Sequence, residues 1–235
     1  MDNNTILFQK NWKKLTNLSL DRGAIDDEEM FILSDLNYVK KYCTKGGITE
    51  QFLKIFENEI LPSLNIDMTG KIWKINSKIH RLRKHWIPAL GNWHLDNIDR
   101  GSKGVYQNGV EVSKYHQPDY LNTPDDIYIL FVVGESARTQ LVDCDMLLEK
   151  PLPSENVYQS FHKQIEKKYK DNIITMDSGD VILFTSTDFH RASESLIDKS
   201  FFRYFIRLQL TSNTSNLKNK IRKQVQAYID LGRDW

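Results

Sequence analysis

Along the first third of the chain, apolar residues recur at helical spacing. Phe31, Leu33, Leu36 and Val39 form an imperfect stripe behind the acidic run Asp26-Asp27-Glu28-Glu29, and Phe52, Ile55, Phe56 and Ile60 repeat the pattern after Thr49. An acidic turn and a threonine cap both favour helix starts, because unpaired backbone N–H groups gather at that end. Residues 11–64 are therefore predicted to be mainly helical, with Gly46 and Gly47 separating two helices. After Gly70 the period changes. Residues 71–76 alternate polar and apolar side chains, the mark of a half-buried strand, and further strand signals cover 126–133, 139–142, 173–176, 180–186 and 201–210. Gly134, Ser178-Gly179 and the polar stretch 193–200 punctuate them. One helix, about 154–168, interrupts the series with Val157, Phe161 and Ile165 on one face, and an amphipathic piece over 216–231 is predicted to close the chain as a helix. Short strands without regular βαβ alternation predict a mostly β protein with flanking helices, built as an antiparallel barrel or jelly roll. The expected layout is a single domain: a helical segment over 1–70 packed on a core over 71–210, followed by a C-terminal helix within 211–235.

Charge and composition mainly exclude. The 235 residues carry 32 Lys and Arg against 31 Asp and Glu, a net charge of +1, so no broad field draws in a polyanion and no nucleic-acid partner is expected. The longest apolar runs, such as 127–133, fall far short of the ~20 residues that span a membrane. The polar start MDNNT has no signal-peptide core. A cytoplasmic protein without a membrane partner is the expectation. The two cysteines, Cys43 and Cys144, show no CxxC spacing, so any metal is expected to sit on nitrogen and oxygen ligands.

The candidate chemistry starts from the six histidines. Only His94 is followed two residues later by a carboxylate, in Gly91-Asn92-Trp93-His94-Leu95-Asp96-Asn97. In extended backbone, residues i and i+2 point to the same side, so this imidazole and the Asp96 carboxylate can meet one ion. One such match is expected by chance on this composition, and the weight comes from further along the chain. There an apolar strand, Gly179 to Phe184, leads to His190, which supplies a third ligand. Two imidazoles and one carboxylate, with open positions left over, suit a divalent iron. On the next strand Arg203, Phe205, Arg207 and Gln209 share one face, while Phe202, Tyr204, Ile206, Leu208 and Leu210 share the other. Arginines on an apolar strand need an anion or solvent, and the guanidinium fork matches a carboxylate.

Taken together, H-x-D at His94 and Asp96, a distal histidine at His190 and an arginine about one strand later at Arg203 resemble the Fe(II)/2-oxoglutarate-dependent dioxygenase superfamily over about residues 71–210. The lead-in Gly179-Asp180-Val181-Ile182-Leu183-Phe184 and the phrase Arg203-Tyr204-Phe205-Ile206 are the most family-like parts. The resemblance implies a double-stranded β-helix, or jelly-roll, core. It also implies Fe(II) on His94, Asp96 and His190, and 2-oxoglutarate as cosubstrate with its distal carboxylate on Arg203 and Arg207 in reserve. Thr139, on a mid-barrel strand, is a further candidate contact to the cosubstrate. Family halogenases replace the carboxylate ligand with a small residue, so Asp96 favours hydroxylation. The expected reaction uses O₂ to hydroxylate an unactivated C–H bond of a small polar metabolite, amino acid or peptide. Trp93 and Tyr128 are candidate pocket walls, and Tyr106 to Tyr120 a candidate lid. Arg81, Arg83, Lys84 and His85 either orient an anionic substrate or form a solvated face. Two other readings compete: a noncatalytic jelly-roll module that binds an anionic small ligand through Arg203 and Arg207, and a zinc hydrolase, for which no partner base motif is present.

Overall fold

A computed structural model describes residues 4–21, 23, 25–89, 91–96, 105–107, 110–112, 126–152, 155, 157–222 and 228–229. Six antiparallel strands make the larger sheet, in the spatial order Lys13–Asn17, Asp180–Thr185, Ile127–Val133, Phe201–Thr211, Ile72–Leu82 and Ser34–Asp35. A smaller sheet has Thr139–Val142 between Ile173–Thr175 and His190–Ala192, again antiparallel. From Ile127 onward the chain visits larger, smaller, smaller, larger, smaller and larger sheet in turn through these strands, which winds two sheets into a double-stranded β-helix. The fold is mostly β with flanking helices, as the strand pattern predicts.

Both faces of the larger sheet are covered, and this explains the unbroken apolar run Ile127–Val133. Its outer-face residues Ile129, Phe131 and Val133 join Tyr204, Ile206, Leu208 and Leu210 in a core beneath the helices. Phe52, from the helix Ile48–Ile55, stacks on Phe131 with ring centroids 4.8 Å apart, and Phe56 meets Trp73 edge-on at 5.1 Å. The inner-face residues Tyr128, Leu130 and Val132 pack with Ile182 and Phe184 against Leu141 and Met176 of the region facing them. The helix Val157–Lys168 closes a separate cluster through Val157, Phe161 and Ile165.

The N-terminal third departs from the predicted helices. Thr5–Phe8 pairs with Met146–Glu149, and Lys13–Asn17 extends the larger sheet along Asp180–Leu183. After a single 3-10 turn at Ile25–Asp27, α-helix among the described residues begins at Leu36–Tyr42 and resumes at Ile48, continuing through a π-helical turn at Phe56–Ile60 to Ser63. The acidic run caps a different helix from the one it precedes. Glu28 accepts from the backbone N–H groups of Ile48 and Thr49 and from the Thr49 hydroxyl, which in turn contacts the Tyr204 hydroxyl at 2.7 Å. At the C-terminal end, Lys220–Arg222 pairs with Met30–Ile32, and Tyr228–Ile229 pairs with Trp86–Ile87, so these described parts of the expected closing helix are strand. The amphipathic pattern there is short and lysine-rich, and the available sheet edges override it. Among the described residues no helix is long and apolar enough to cross a membrane.

Candidate metal centre

His94 and His190 are brought together by backbone before side chain. Each backbone N–H donates to the other residue's carbonyl at 3.1 Å, an isolated antiparallel bridge that adds the His94 stretch to the edge of the smaller sheet. The ring centroids lie 4.4 Å apart. His94 Nδ1 contacts the Asn92 carbonyl at 2.9 Å, and His190 Nδ1 the Asp188 carbonyl at 3.1 Å. A carbonyl oxygen only accepts, so both Nδ1 atoms carry a proton, and Nε2 is the nitrogen of each ring that is placed to ligate a metal. Asp96 projects into the same space, with Oδ2 at 3.6 Å from His190 Nε2. One ligand atom from each of His94, Asp96 and His190 lies within 4.8 Å of the others.

The electrostatics suit cation binding. Burial alone would raise the Asp96 pKa, but Arg207, which donates to the carboxylate, followed by His190 and His94, outweighs it and the group sits at about 2. Burial, reinforced by His190, holds His94 down at about 3. At neutral pH the site therefore offers one carboxylate and an uncharged His94 imidazole, the forms that ligate metals.

The turn that delivers His190 is braced from below. The buried Asp188 carboxylate accepts from the backbone N–H groups of Asn11 at 2.8 Å and Trp12 at 3.1 Å, and from the Thr185 N–H at 2.8 Å and hydroxyl at 2.9 Å. Asp188 serves this turn through two groups. The structure uses its carbonyl for the ring and its carboxylate to tie the turn to the N-terminal segment.

All three triad residues line one cavity of about 550 Å³, together with Thr139, Arg203 and Arg207. The six residues expected to ligate the metal or contact the cosubstrate thus line one cavity. The two arginines differ sharply. Arg207 is ion-paired with Asp96, and that carboxylate, against the effect of burial, raises its pKa above the usual arginine value. Arg203 is 2% exposed, and among the described residues its Nε has no hydrogen-bond partner and it forms no ion pair. Desolvation pulls its pKa down to about 9. Its stem is pressed against Gly134, where an added Cβ would lie 3.1 Å from Arg203 Cγ.

Sequence reasoning missed the neighbouring wall. Asn76, Lys78 and His80, on the strand Ile72–Leu82, also line the cavity, directly opposite Arg207, Phe205 and Arg203 in register. The strand signal read from the sequence ends at residue 76, whereas the strand runs on to Leu82, and its pairing shows that these three face inward. Trp93 and Tyr128 do not line the cavity. Trp93 is fully buried, with Nε1 donating to Glu166 at 2.6 Å and Arg191 over its ring at 4.5 Å. Tyr128 stacks on Phe184 behind the wall at 4.9 Å. The basic cluster is a surface feature: Lys84 pairs with Asp198 at 2.8 Å, His85 pairs with Glu194, and Arg81 and Arg83 are exposed. Apart from short backbone strands at Val105–Gln107 and Val110–Val112, the candidate lid from Tyr106 to Tyr120 lies outside the described residues. A second cleft of about 650 Å³, lined by Gln140, Thr175 and Arg191 among others, includes none of the triad.

No protein-family model matches the chain, and no curated protein matches it. Solved structures to which it is similar include a non-heme monooxygenase, ThoJ, in complex with nickel, at 12% identity over 59% of this chain with a TM-score of 0.29. The chain spans 43% of the length of that protein. HygX from Streptomyces hygroscopicus, with nickel and 2-oxoglutarate bound, is similar at 8% identity over 86% of this chain and 83% of that one, with a TM-score of 0.39. EctD from S. alaskensis, in its apo form, is similar at 11% identity over 93% and 90%, with a TM-score of 0.32.

Proposed function

We propose that this chain is an Fe(II)- and 2-oxoglutarate-dependent oxygenase that uses O₂ to hydroxylate a C–H bond of a small polar substrate. The observation that carries this reading is the convergence of His94, Asp96 and His190 on one point of a cavity that also holds a buried arginine without an ion-pair partner among the described residues. The donor set fits iron: two imidazole nitrogens with their tautomers fixed by carbonyls, and a carboxylate, leave coordination positions free. The orphaned Arg203 fits a dicarboxylate, since desolvating a guanidinium costs several kcal/mol unless an anion completes it.

When bound, the iron and 2-oxoglutarate supply the oxidising chemistry. The chain supplies the rest. His94, Asp96 and His190 hold the metal, and the reciprocal backbone bridge fixes the spacing of the two imidazoles. Arg207 keeps Asp96 ionised and aimed at the site. Arg203 pairs with the distal carboxylate of the cosubstrate, and the Thr139 hydroxyl, on the facing strand, stands as a further polar contact to it. Leu130 and Phe184 in the wall exclude water around the reacting groups.

The test is anaerobic addition of Fe(II) and 2-oxoglutarate to the full chain. A weak visible metal-to-ligand absorption band is expected in the wild type and is expected to vanish in His94→Ala. Dicarboxylate binding that persists in His94→Ala without any such band in the wild type would instead favour a noncatalytic anion-binding module.

A further inference from the structure

The proposed function leaves one inner-wall group unused. His80 is 1% exposed, lines the cavity, and among the described residues neither ring nitrogen has a hydrogen-bond partner. A buried imidazole carries a donor and an acceptor, and leaving both unmade is costly, so such a group calls for a partner beyond the described residues, and a ligand in the cavity is one. Its position says what that partner is. His80 is the cross-strand partner of Arg203, and directly opposed residues in an antiparallel pair project from the same face. Arg203 is itself buried with an orphaned Nε. Two unfinished donors therefore stand side by side at one end of the cavity, while Arg207, four residues further along the strand, is committed to Asp96 at the metal end.

Burial and the positive charges of Arg203 and Lys78 keep His80 neutral, holding its pKa down at about 2. A neutral imidazole beside a guanidinium can donate one N–H to an oxygen that the guanidinium also binds. It adds no charge that would need a second counterion. A carboxylate offers lone pairs enough for both.

We infer that His80 and Arg203 form a two-residue clamp for one carboxylate, with the imidazole selecting keto acids that carry a distal acid group over those that do not. This rests on the proposed 2-oxoglutarate-dependent function and adds a specificity-determining residue to it.

The test is calorimetric titration of the full chain, loaded anaerobically with Mn(II), with 2-oxoglutarate and with 2-oxobutyrate, which has the same chelating end and no distal carboxylate. In His80→Phe the affinity for 2-oxoglutarate is expected to fall about tenfold or more, the range of a lost hydrogen bond to a charged group, while 2-oxobutyrate binding is unchanged. His80→Gln, which restores an N–H donor, is expected to recover part of the loss. Equal weakening of both acids in His80→Phe, or no weakening of either, would overturn the clamp. Wild-type protein that takes up Mn(II) but binds neither acid, or that takes up no Mn(II), would instead overturn the functional reading on which the clamp rests. The 2-oxobutyrate arm also reports on folding of each variant.

Discussion

Arg203 and Arg207 share a strand face and an apolar setting, yet their surroundings make opposite demands on stability. Arg203 is a buried cation with no counterion among the described residues, so Arg203→Met is expected to stabilise the ligand-free protein by about 1 kcal/mol while removing 2-oxoglutarate binding. Arg207→Met strips Asp96 of its ion-pair partner, and a loss of about 3 kcal/mol is expected. Urea unfolding of the two variants checks both signs. His80 gives a pH signature of its own. Its pKa falls from an ordinary 6.5 to about 2 in the folded chain. Below pH 6.5 the unfolded chain therefore takes up a proton that the native state refuses, and stability falls as pH drops towards 2. Each such group contributes a slope of about 1.4 kcal/mol per pH unit, and His80→Phe is expected to remove one such contribution in urea titrations between about pH 4 and pH 6.

At the scale of elements, the strands that build the barrel interior are legible because their patterns are set by burial. The apolar run 127–133 and the arginine-bearing alternation 201–210 match observed strands to within a residue at most ends. The N-terminal strands are not legible. Lys13–Asn17 is an edge strand with two lysines and an asparagine, polar enough to protect its free side and too short to show a period. Its attachment depends on partners far away in sequence, above all Asp188, which gathers Asn11 and Trp12 onto the turn before His190. Asp188→Ala leaves several backbone N–H groups without their acceptor, and a loss of about 2–4 kcal/mol in urea unfolding is expected. Metal affinity is expected to fall as well, because the carbonyl that orients the His190 ring sits on the same turn.

For the molecule as a whole, near-zero net charge conceals a concentrated interior. Among the described residues the cavity wall carries Arg203, Arg207 and Lys78 against the single carboxylate of Asp96, an excess of cationic side chains that suits a bound anion. That His94 shares a side with Asp96, and Arg203 with Arg207, can be read from local spacing and strand alternation, whereas His190 joins them in the sequence only through the family resemblance. The wall residues Asn76, Lys78 and His80 cannot be read so, because nothing local distinguishes the inner face of that strand from the outer one. The most direct measurement is a crystal structure of the full chain with Fe(II) and 2-oxoglutarate added anaerobically, with anomalous scattering recorded at the iron edge. The expected result is a single iron peak ligated by His94 Nε2, Asp96 and His190 Nε2, with the distal carboxylate of 2-oxoglutarate on Arg203. Iron bound elsewhere, or a cosubstrate that leaves Arg203 unpaired, would contradict the proposed site.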